Sequence, residues 1–338
     1  MIKLNPAASI TEEFAEKVQN DNRNLKLMKL APLFVLVFLM IIFTFACGIA
    51  FVSPSNLLTI LNQMALPLVV ALGLTFVIML GSIDLSIDGS VGMAGSLFAC
   101  FVLNSQFGNN FGFFGALLAI GISMLGGLLI GLCHVYLKIP SFMASFAFMY
   151  ICRGIGMVSY QGHPPTITDP VVKALPTTSF LGIPFITWIA IAMFALCWFI
   201  QEYTAFGRRI YAVGTNESIL RSAGVSVEKV KVGVFALAGF LFGVAGVIGA
   251  IRLGQGQVAI GAGKMFPAQA AVVVGGTSLS GGKGGVNNTI IGVLIMTVLD
   301  NGLIMLGVNP NIRTGIQGVI ILVSVILTVA RGAKVISK

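Results

Sequence analysis

Long apolar runs, each separated from the next by a short polar stretch, make up most of the chain. Ten of them are near or above the about 20 residues that a helix needs to cross a bilayer. They lie near residues 30–52, 60–80, 88–105, 112–137, 141–160, 183–200, 231–251, 265–282, 287–307 and 313–330. The pattern predicts an all-α polytopic membrane protein with about ten transmembrane helices. The eighth run is small and rich in glycine, so among the ten it is the first candidate for a re-entrant segment.

Composition supports this fold class. Charged residues make up 9% of the chain and the mean hydropathy is +1.00, whereas a soluble domain carries roughly 25% charge. Close helix contacts are permitted by the glycine pairs Gly127–Gly131 and Gly239–Gly243. The five cysteines lie in separate apolar runs without CxxC spacing. We therefore predict buried thiols, with neither a disulfide nor a metal site.

The lysines and arginines indicate which side of the membrane each loop faces. Ten spans place both termini on one side, and if that side is the cytoplasm, 15 of the 20 basic residues lie inside. The other five are Arg153, Lys173, Arg252, Lys264 and Arg313. We predict a cytoplasmic arm at 1–29, a transmembrane domain at 30–332 and a cytoplasmic tail at 333–338. The net charge of +9 follows from this bias, and no basic patch with interleaved aromatic residues indicates nucleic acid.

One long polar stretch, residues 201–231, interrupts the apolar pattern between the sixth and seventh runs. Thr215 and Asn216 are suited to cap a short helix there, and Glu217 would lie in its positive first turn. Gly224 would end that helix. The orientation above places the stretch in the cytoplasm, as a small amphipathic helix on the membrane surface.

Two glycine-rich segments resemble each other at an offset of 194 residues. Residues 80–92 read LGSIDLSIDGSVG and residues 274–285 read VGGTSLSGGKGG. The three identities align Gly81, Leu85 and Ser86 with Gly275, Leu279 and Ser280. Because transporters often build their path from paired broken helices in two halves, the segments are candidates for such a pair.

Few ionisable residues lie within the apolar runs. Asp84 and Asp88 either line a gate at a helix break or cap the helix that follows them. Asp300 and Arg153 either pair with each other or lie near a water-filled region. His134 is isolated in the sequence and so is His163. No catalytic constellation results, and a proton- or sodium-coupled carrier would need more intramembrane ligands.

The glycine-rich sequence SLSGGKGG is not a nucleotide-binding loop. Gly284 follows Lys283 where that motif requires serine or threonine. We predict no nucleotide site in this chain, so active transport would draw its energy from another polypeptide.

Positive charges on the predicted outer side are few and fall in separate loops. They are Lys173, Arg252, Lys264 and Arg313. Two interpretations remain open: ordinary charge at the membrane boundary, or a docking surface for a partner with an acidic rim.

Five motifs, in order, resemble the membrane-spanning permease of bacterial ATP-binding-cassette (ABC) importers for sugars of the ribose, galactose and xylose type. They are GSIDLSIDGSVG (81–92), IPSFMASFAFMYICRGIG (139–156), TAFGRRIYAVGTNESILRSAGVSVEKVK (204–231), AAVVVGGTSLSGGKGG (270–285) and LGVNP (306–310). The resemblance covers roughly residues 50–332. Ser82 and Asp88 depart from the family pattern and bear on the chemistry of the first segment.

The resemblance implies a type II ABC importer fold, working as a homodimer in the bacterial inner membrane with a path along the dimer axis. A periplasmic sugar-binding protein would deliver the solute. A separate cytoplasmic ATPase would bind ATP and magnesium, so this chain would be neither an enzyme nor a cofactor protein. Residues implied in coupling to the ATPase are Arg208, Gly214, Asn216, Glu217, Arg221, Ala223 and Gly224. Residues implied in the path or its gate are Asp84, Ser86, Ser141, Phe142 and Ser280.

Two other functions remain open at this stage. An ABC permease for a nucleoside or a branched-chain amino acid would have the same architecture. A stand-alone secondary carrier or channel would have no use for a coupling segment at 201–231.

Overall fold

A computed structural model describes residues 30–332 of the chain. Its helices are α1 Leu30–Cys47, α2 Pro54–Met79, α3 Ile87–Phe101, α4 Phe113–Tyr136, α5 Ser141–Ser159, α6 Pro170–Ala174, α7 Phe185–Tyr203, α8 Ala205–Thr215, α9 Glu217–Ser222, α10 Val227–Leu253, α11 Met265–Val274, α12 Val286–Met305 and α13 Pro310–Gly332. A two-stranded antiparallel hairpin joins β1 Ser179–Phe180 to β2 Ile183–Pro184. The predicted arm 1–29 and tail 333–338 lie outside the described residues.

Each of the ten apolar runs contains a helix or most of one. Seven helices of the described part are long and apolar enough to cross a membrane, namely α1, α2, α4, α5, α7, α10 and α12. The prediction of an all-α polytopic membrane protein is confirmed. The helices α6, α8 and α9 belong to the polar connections.

Two helices are too short to cross a bilayer alone. At 1.5 Å per residue, α3 is about 22 Å long and α11 about 15 Å, against about 30 Å of hydrocarbon. The eighth run therefore differs from its predicted bounds, because residues 275–285 follow α11 as a glycine-rich turn region. This region is partly exposed, since Gly276, Leu279, Ser280 and Lys283 lie at the surface of the described chain.

The core of the molecule is built around α2 and α10. α10 is almost wholly buried and packs against α2, α3 and α4. The predicted glycine pairs make its contact with α4: a Cβ on Gly127 would lie 2.9 Å from the Cα of Gly239. Ser123 of α4 donates a hydrogen bond to the carbonyl of Gly239 at 2.8 Å. Small residues allow the backbones of α4 and α10 to touch. This is expected in a membrane, because the hydrophobic effect does not drive helices together there and close packing must do so instead.

Candidate functional site

The two glycine-rich segments meet at one end of the molecule. The amide of Gly282 donates to the carbonyl of Met79, the last residue of α2, at 2.9 Å. A Cβ on Gly81 would lie 3.4 Å from the carbonyl oxygen of Ser280. The sequence predicted the likeness of these segments, and the structure adds that they are in contact. They form one junction between the two halves of the chain.

α8 ends directly on this junction. A Cβ on Gly214 would overlap the carbonyl oxygen of Met79 and lie 2.6 Å from the amide nitrogen of Gly282. The hydroxyl of Tyr211, one turn earlier, donates to the carbonyl of Gly284 at 2.7 Å. These contacts are largely between backbone atoms, and they join α8 to the end of α2 and to the second glycine-rich segment.

A buried glutamine links two further helices at the same end of the molecule. Gln201, near the end of α7, is 4% exposed. Its Oε1 accepts from the amide of Val286 at 2.7 Å, at the start of α12. A lone glutamine at the edge of an apolar run gave a weak signal, and neither Gln201 nor Tyr211 was among the predicted site residues.

α9 is the short capped helix that the sequence predicted. The side-chain oxygen of Asn216 accepts from the amides of Ser218 and Ile219 at 3.1 and 3.3 Å. Gly224 has a φ of +77° and its amide donates to the carbonyl of Arg221. The predicted cap and stop are both confirmed, because they depend only on neighbouring residues.

Ion pairs hold α9 against the first turns of α10. Glu217 pairs with Arg221 at 2.8 Å and with Lys231 at 2.7 Å, and Arg221 also pairs with Glu228. Hydrogen bonds from Lys231 and from Arg221 keep the pKa of Glu217 below its ordinary value of 4.5. Glu217 and Arg221, predicted to contact an ATPase, therefore also position α9 within the chain.

The outward surface of α9 consists of small polar residues around one apolar side chain. Ile219 is 63% exposed, and Ser218, Ser222 and Ala223 are exposed beside it. Ile219 is therefore available for contact with another protein. The signal was present in the sequence as one isoleucine within NESILRS. Arg208, the other predicted coupling residue, is exposed on α8.

The predicted path residues gather where α2 gives way to α3. Asp84 is 1% exposed; one of its oxygens accepts from the amide of Ser86 at 2.7 Å, and the other has no partner among the described residues. The hydroxyl of Ser141 accepts from the amide of Ile83 at 3.1 Å. Phe142 lies beside it and is 45% exposed. Asp84, Ser86, Ser141 and Phe142 are thus brought together, while Ser280 lies at the junction described above.

Asp88 caps a different helix from the one expected. Its carboxylate accepts from the amides of Gly263, Lys264 and Met265 at 2.8 to 3.1 Å, which is the N-terminus of α11. Asp88 itself lies in the first turn of α3. The prediction that it caps the following helix is wrong, because the amides that need an acceptor are those of α11, 175 residues away.

α3 and α11 therefore both begin at one half-buried carboxylate. Gly89 packs against the carbonyl of Met149, eight residues into α5 and so about 12 Å from its start. Two short helices whose N-termini meet at this depth match the arrangement of paired broken helices in transporters.

The four predicted docking residues do not form one surface. Arg252 and Lys264 line a cavity of about 360 Å³ together with Gln63, Thr297, Asp300 and Gln317. Arg313 pairs with Asp300 of this cavity at 3.0 Å, so the suggested pair between Asp300 and Arg153 does not form. Lys173 is exposed on the separate helix α6.

Comparison with known proteins identifies the family. Residues 56–325 match the family described as the branched-chain amino acid transport system / permease component. The ribose import permease protein RbsC of Haemophilus influenzae is 38% identical, covering 84% of this chain and 88% of its own. RbsC of Bacillus subtilis is 35% identical over 92% of this chain and 97% of its own.

More distant relatives include the xylose transport system permease protein XylH of Escherichia coli, 29% identical over 90% of this chain and 92% of its own. No solved structure matches the chain at a significant level. The predicted resemblance to permeases of the ribose and xylose type is confirmed. The chain belongs to the family of branched-chain amino acid transport system permease components.

Proposed function

We propose that this chain is the membrane subunit of an ATP-driven importer and carries a monosaccharide across the bacterial inner membrane as a homodimer. The observation that carries the proposal is the backbone contact of α8 with both glycine-rich segments. A helix outside the membrane is thereby joined to the two breaks that flank the path. The substrate class follows from relatives named for ribose import over more than four fifths of this chain.

The motor is a separate cytoplasmic ATPase that binds ATP and magnesium. α9 docks in a cleft of that protein with Ile219 as its apolar anchor, while Asn216 and Gly224 define its ends. ATP-driven movement of the cleft displaces α8 and, through Gly214 and Tyr211, the junction of the glycine-rich segments. Both termini and the α8–α9 end face the cytoplasm, in keeping with the distribution of lysines and arginines.

A periplasmic binding protein delivers the sugar at the opposite end. Lys173 and Arg252 are exposed cations there. Arg252 and Lys264 border the cavity, and Arg313 is neutralised by Asp300. We expect the acidic rim of the binding protein to contact Lys173 first. Arg252 would then contribute as it settles on the surface, whereas Lys264 lies deeper, where its amide donates to Asp88 at the start of α11.

Reconstituted transport tests the proposal. The chain is placed in liposomes with the ATPase and the binding protein encoded beside it, and uptake of labelled ribose, xylose, galactose, adenosine and leucine is compared. ATP-dependent uptake of a sugar that requires all three proteins is the expected result. Uptake of leucine but no sugar would instead indicate a permease for branched-chain amino acids, the substrate class in the family description. Uptake of adenosine but no sugar would indicate a nucleoside permease. Uptake without ATP would mean a stand-alone carrier.

A further inference from the structure

α5 exposes two flanks of different chemistry. One consists of Ile151, Ile155 and Val158, which are spaced four and three residues apart and are between 45% and 76% exposed. All three are aliphatic, as expected of a surface covered by lipid chains. The other flank, offset around the helix, contains Phe146, Tyr150, Arg153 and Met157. We call these two sides the aliphatic flank and the mixed flank.

Arg153 does not belong on a lipid-facing surface. It is exposed on a 19-residue apolar helix, about 18 Å from its start and about 9 Å from its end. The ion pairs and hydrogen bonds formed among residues 30–332 do not include its side chain. A charged group at this depth is costly in hydrocarbon, and such residues in membrane helices face water-filled cavities or other helices.

The neighbours of Arg153 suit a polyhydroxylated solute. Phe146 and Tyr150 form an edge-to-face aromatic pair with ring centroids 5.2 Å apart, one turn before the arginine. Beside them, a Cβ on Gly154 would meet nothing within 4 Å. An aromatic face packs against the C–H side of a sugar ring, and the phenol and guanidinium donate to its hydroxyls. Neither the phenol nor the guanidinium can donate a hydrogen bond to lipid chains.

The mixed flank is continuous with the predicted gate. Phe142, four residues before Phe146, is exposed on the same side of α5. An adjoining side of α5 packs on α3, where the hydroxyl of Ser145 accepts from the amide of Leu85 at 2.9 Å. The mixed flank is therefore attached to the segment that carries Asp84, so a movement of that segment would also move the mixed flank.

We propose that Phe142, Phe146, Tyr150 and Arg153 form the sugar-contacting wall of the transport path, turned towards the same wall of a second copy of this chain. The inference deepens the proposed function and rests on it for the identity of the solute. Arg153 and Tyr150 donate hydrogen bonds to sugar hydroxyls as the solute passes, and the aromatic pair supports its apolar face.

Cysteine accessibility tests the wall without reference to the solute. In a cysteine-free form that retains uptake, single cysteines replace Tyr150 and Arg153 on the mixed flank, and Ile151 and Ile155 on the aliphatic flank as matched controls. A charged methanethiosulfonate reagent needs water and a thiolate, so we expect positions 150 and 153 to react at least about tenfold faster. Equal rates on the two flanks would overturn the proposal. So would unreactive cysteines at 150 and 153, which would mean that Arg153 only extends to the lipid headgroups.

Cross-linking tests the second copy. Cysteine in place of Gly154 should give a covalent dimer with a short bifunctional thiol reagent in membranes, and cysteine at Ile155 should not. A dimer formed through position 155 alone would place the aliphatic flank at the interface and contradict the assignment.

Uptake tests the contact with sugar. Arg153→Gln should reduce sugar uptake about tenfold or more, because charged hydrogen bonds to the solute are lost. Arg153→Lys should restore part of the uptake, and Ile155→Gln should leave it within about twofold. All variants should retain ATPase stimulation, which reports an intact fold and intact coupling. Full uptake by Arg153→Gln would reject the wall, whereas an unmodified transporter that moves no sugar would reject the proposed function instead.

Discussion

Gly214 shows how much a single missing side chain does in this molecule. It sits where α8 meets the end of α2 and the second glycine-rich segment, and a Cβ there would collide with backbone atoms of both. Backbone atoms cannot turn away as a flexible side chain can. The position therefore accepts only glycine if the junction is to keep its geometry.

We predict that Gly214→Ala uncouples ATP hydrolysis from transport. The methyl group should separate α8 from the junction, so that sugar uptake falls about tenfold or more while ATP hydrolysis continues. Measured uptake per ATP hydrolysed checks this. Gly121→Ala is the matched control, because a Cβ at that helical glycine of α4 meets nothing within 4 Å. Unchanged coupling in Gly214→Ala would show that α8 and the junction move independently.

At the scale of elements, α9 owes its position to a few charges as well as to its cap. Lys231 is the inner member of the network, with 18% of its side chain exposed. Because the pKa of Glu217 is lowered, its contribution is present above the ordinary value of 4.5 and is lost as the pH falls through its lower folded value. The network is therefore intact near neutral pH.

Lys231→Gln should loosen α9 without unfolding the transmembrane domain. Glu217 would lose its nearest partner, so we expect faster hydrogen exchange in residues 217–224 and weaker stimulation of the ATPase. Lys229→Gln is the matched control, since this exposed lysine of the same helix is absent from the ion pairs of the described residues. Equal rates of hydrogen exchange in the two variants would show that the ion pairs of Glu217 do not hold α9 in place.

Asp88 connects the two short helices α3 and α11, so replacing it should lower the stability of the protein. Asp88→Ala leaves three amides at the start of α11 without their acceptor, which costs about 1 kcal/mol or more of stability. Asp88→Asn retains an acceptor and should lose less. Thermal unfolding of the purified protein, compared with the neutral surface change Ser222→Ala, measures the difference. An Asp88→Ala protein as stable as the unmodified one would contradict the capping role.

For the whole molecule, the orientation is open to direct measurement. Single cysteines at Ser218 and Lys283 should react with an impermeant thiol reagent only in inside-out vesicles, and a cysteine at Lys173 only in right-side-out ones. All three positions belong to exposed residues of the described chain, so poor access would not explain a negative result. Labelling of Ser218 from outside would reverse the assignment of the two faces.

Local signals in the sequence predicted the parts of this structure that depend on neighbouring residues. The apolar runs and the cap at Asn216 are of this kind, since length, hydropathy and side-chain chemistry decide them within a few residues. Local signals did not predict the contact of Gly214 with Met79 or the hydrogen bonds that Asp88 accepts from the start of α11. They join residues more than one hundred positions apart, and glycine and aspartate are common enough that no pattern marks the partner.

Exposure within the membrane was also beyond local reasoning. The fifth run predicted a helix with an arginine in it, and hydropathy placed Arg153 in a span. Which neighbours share its flank became visible only once the buried side of α5 was known from its packing on α3. The suggested partner, Asp300, was already neutralised by Arg313 on another helix.

The short length of α11 has a mechanical consequence. Its first turn is held at Asp88, and its other end runs into the glycine-rich segment that touches α8. If the glycine-rich segment moves with α8, α11 would therefore rotate about its start at Asp88, over a length of about 15 Å. A push of about 3 Å at the tip turns such an arm by about 11°. A helix spanning the whole bilayer would turn about half as far for the same push, so the short length of α11 gives a larger rotation for the same displacement.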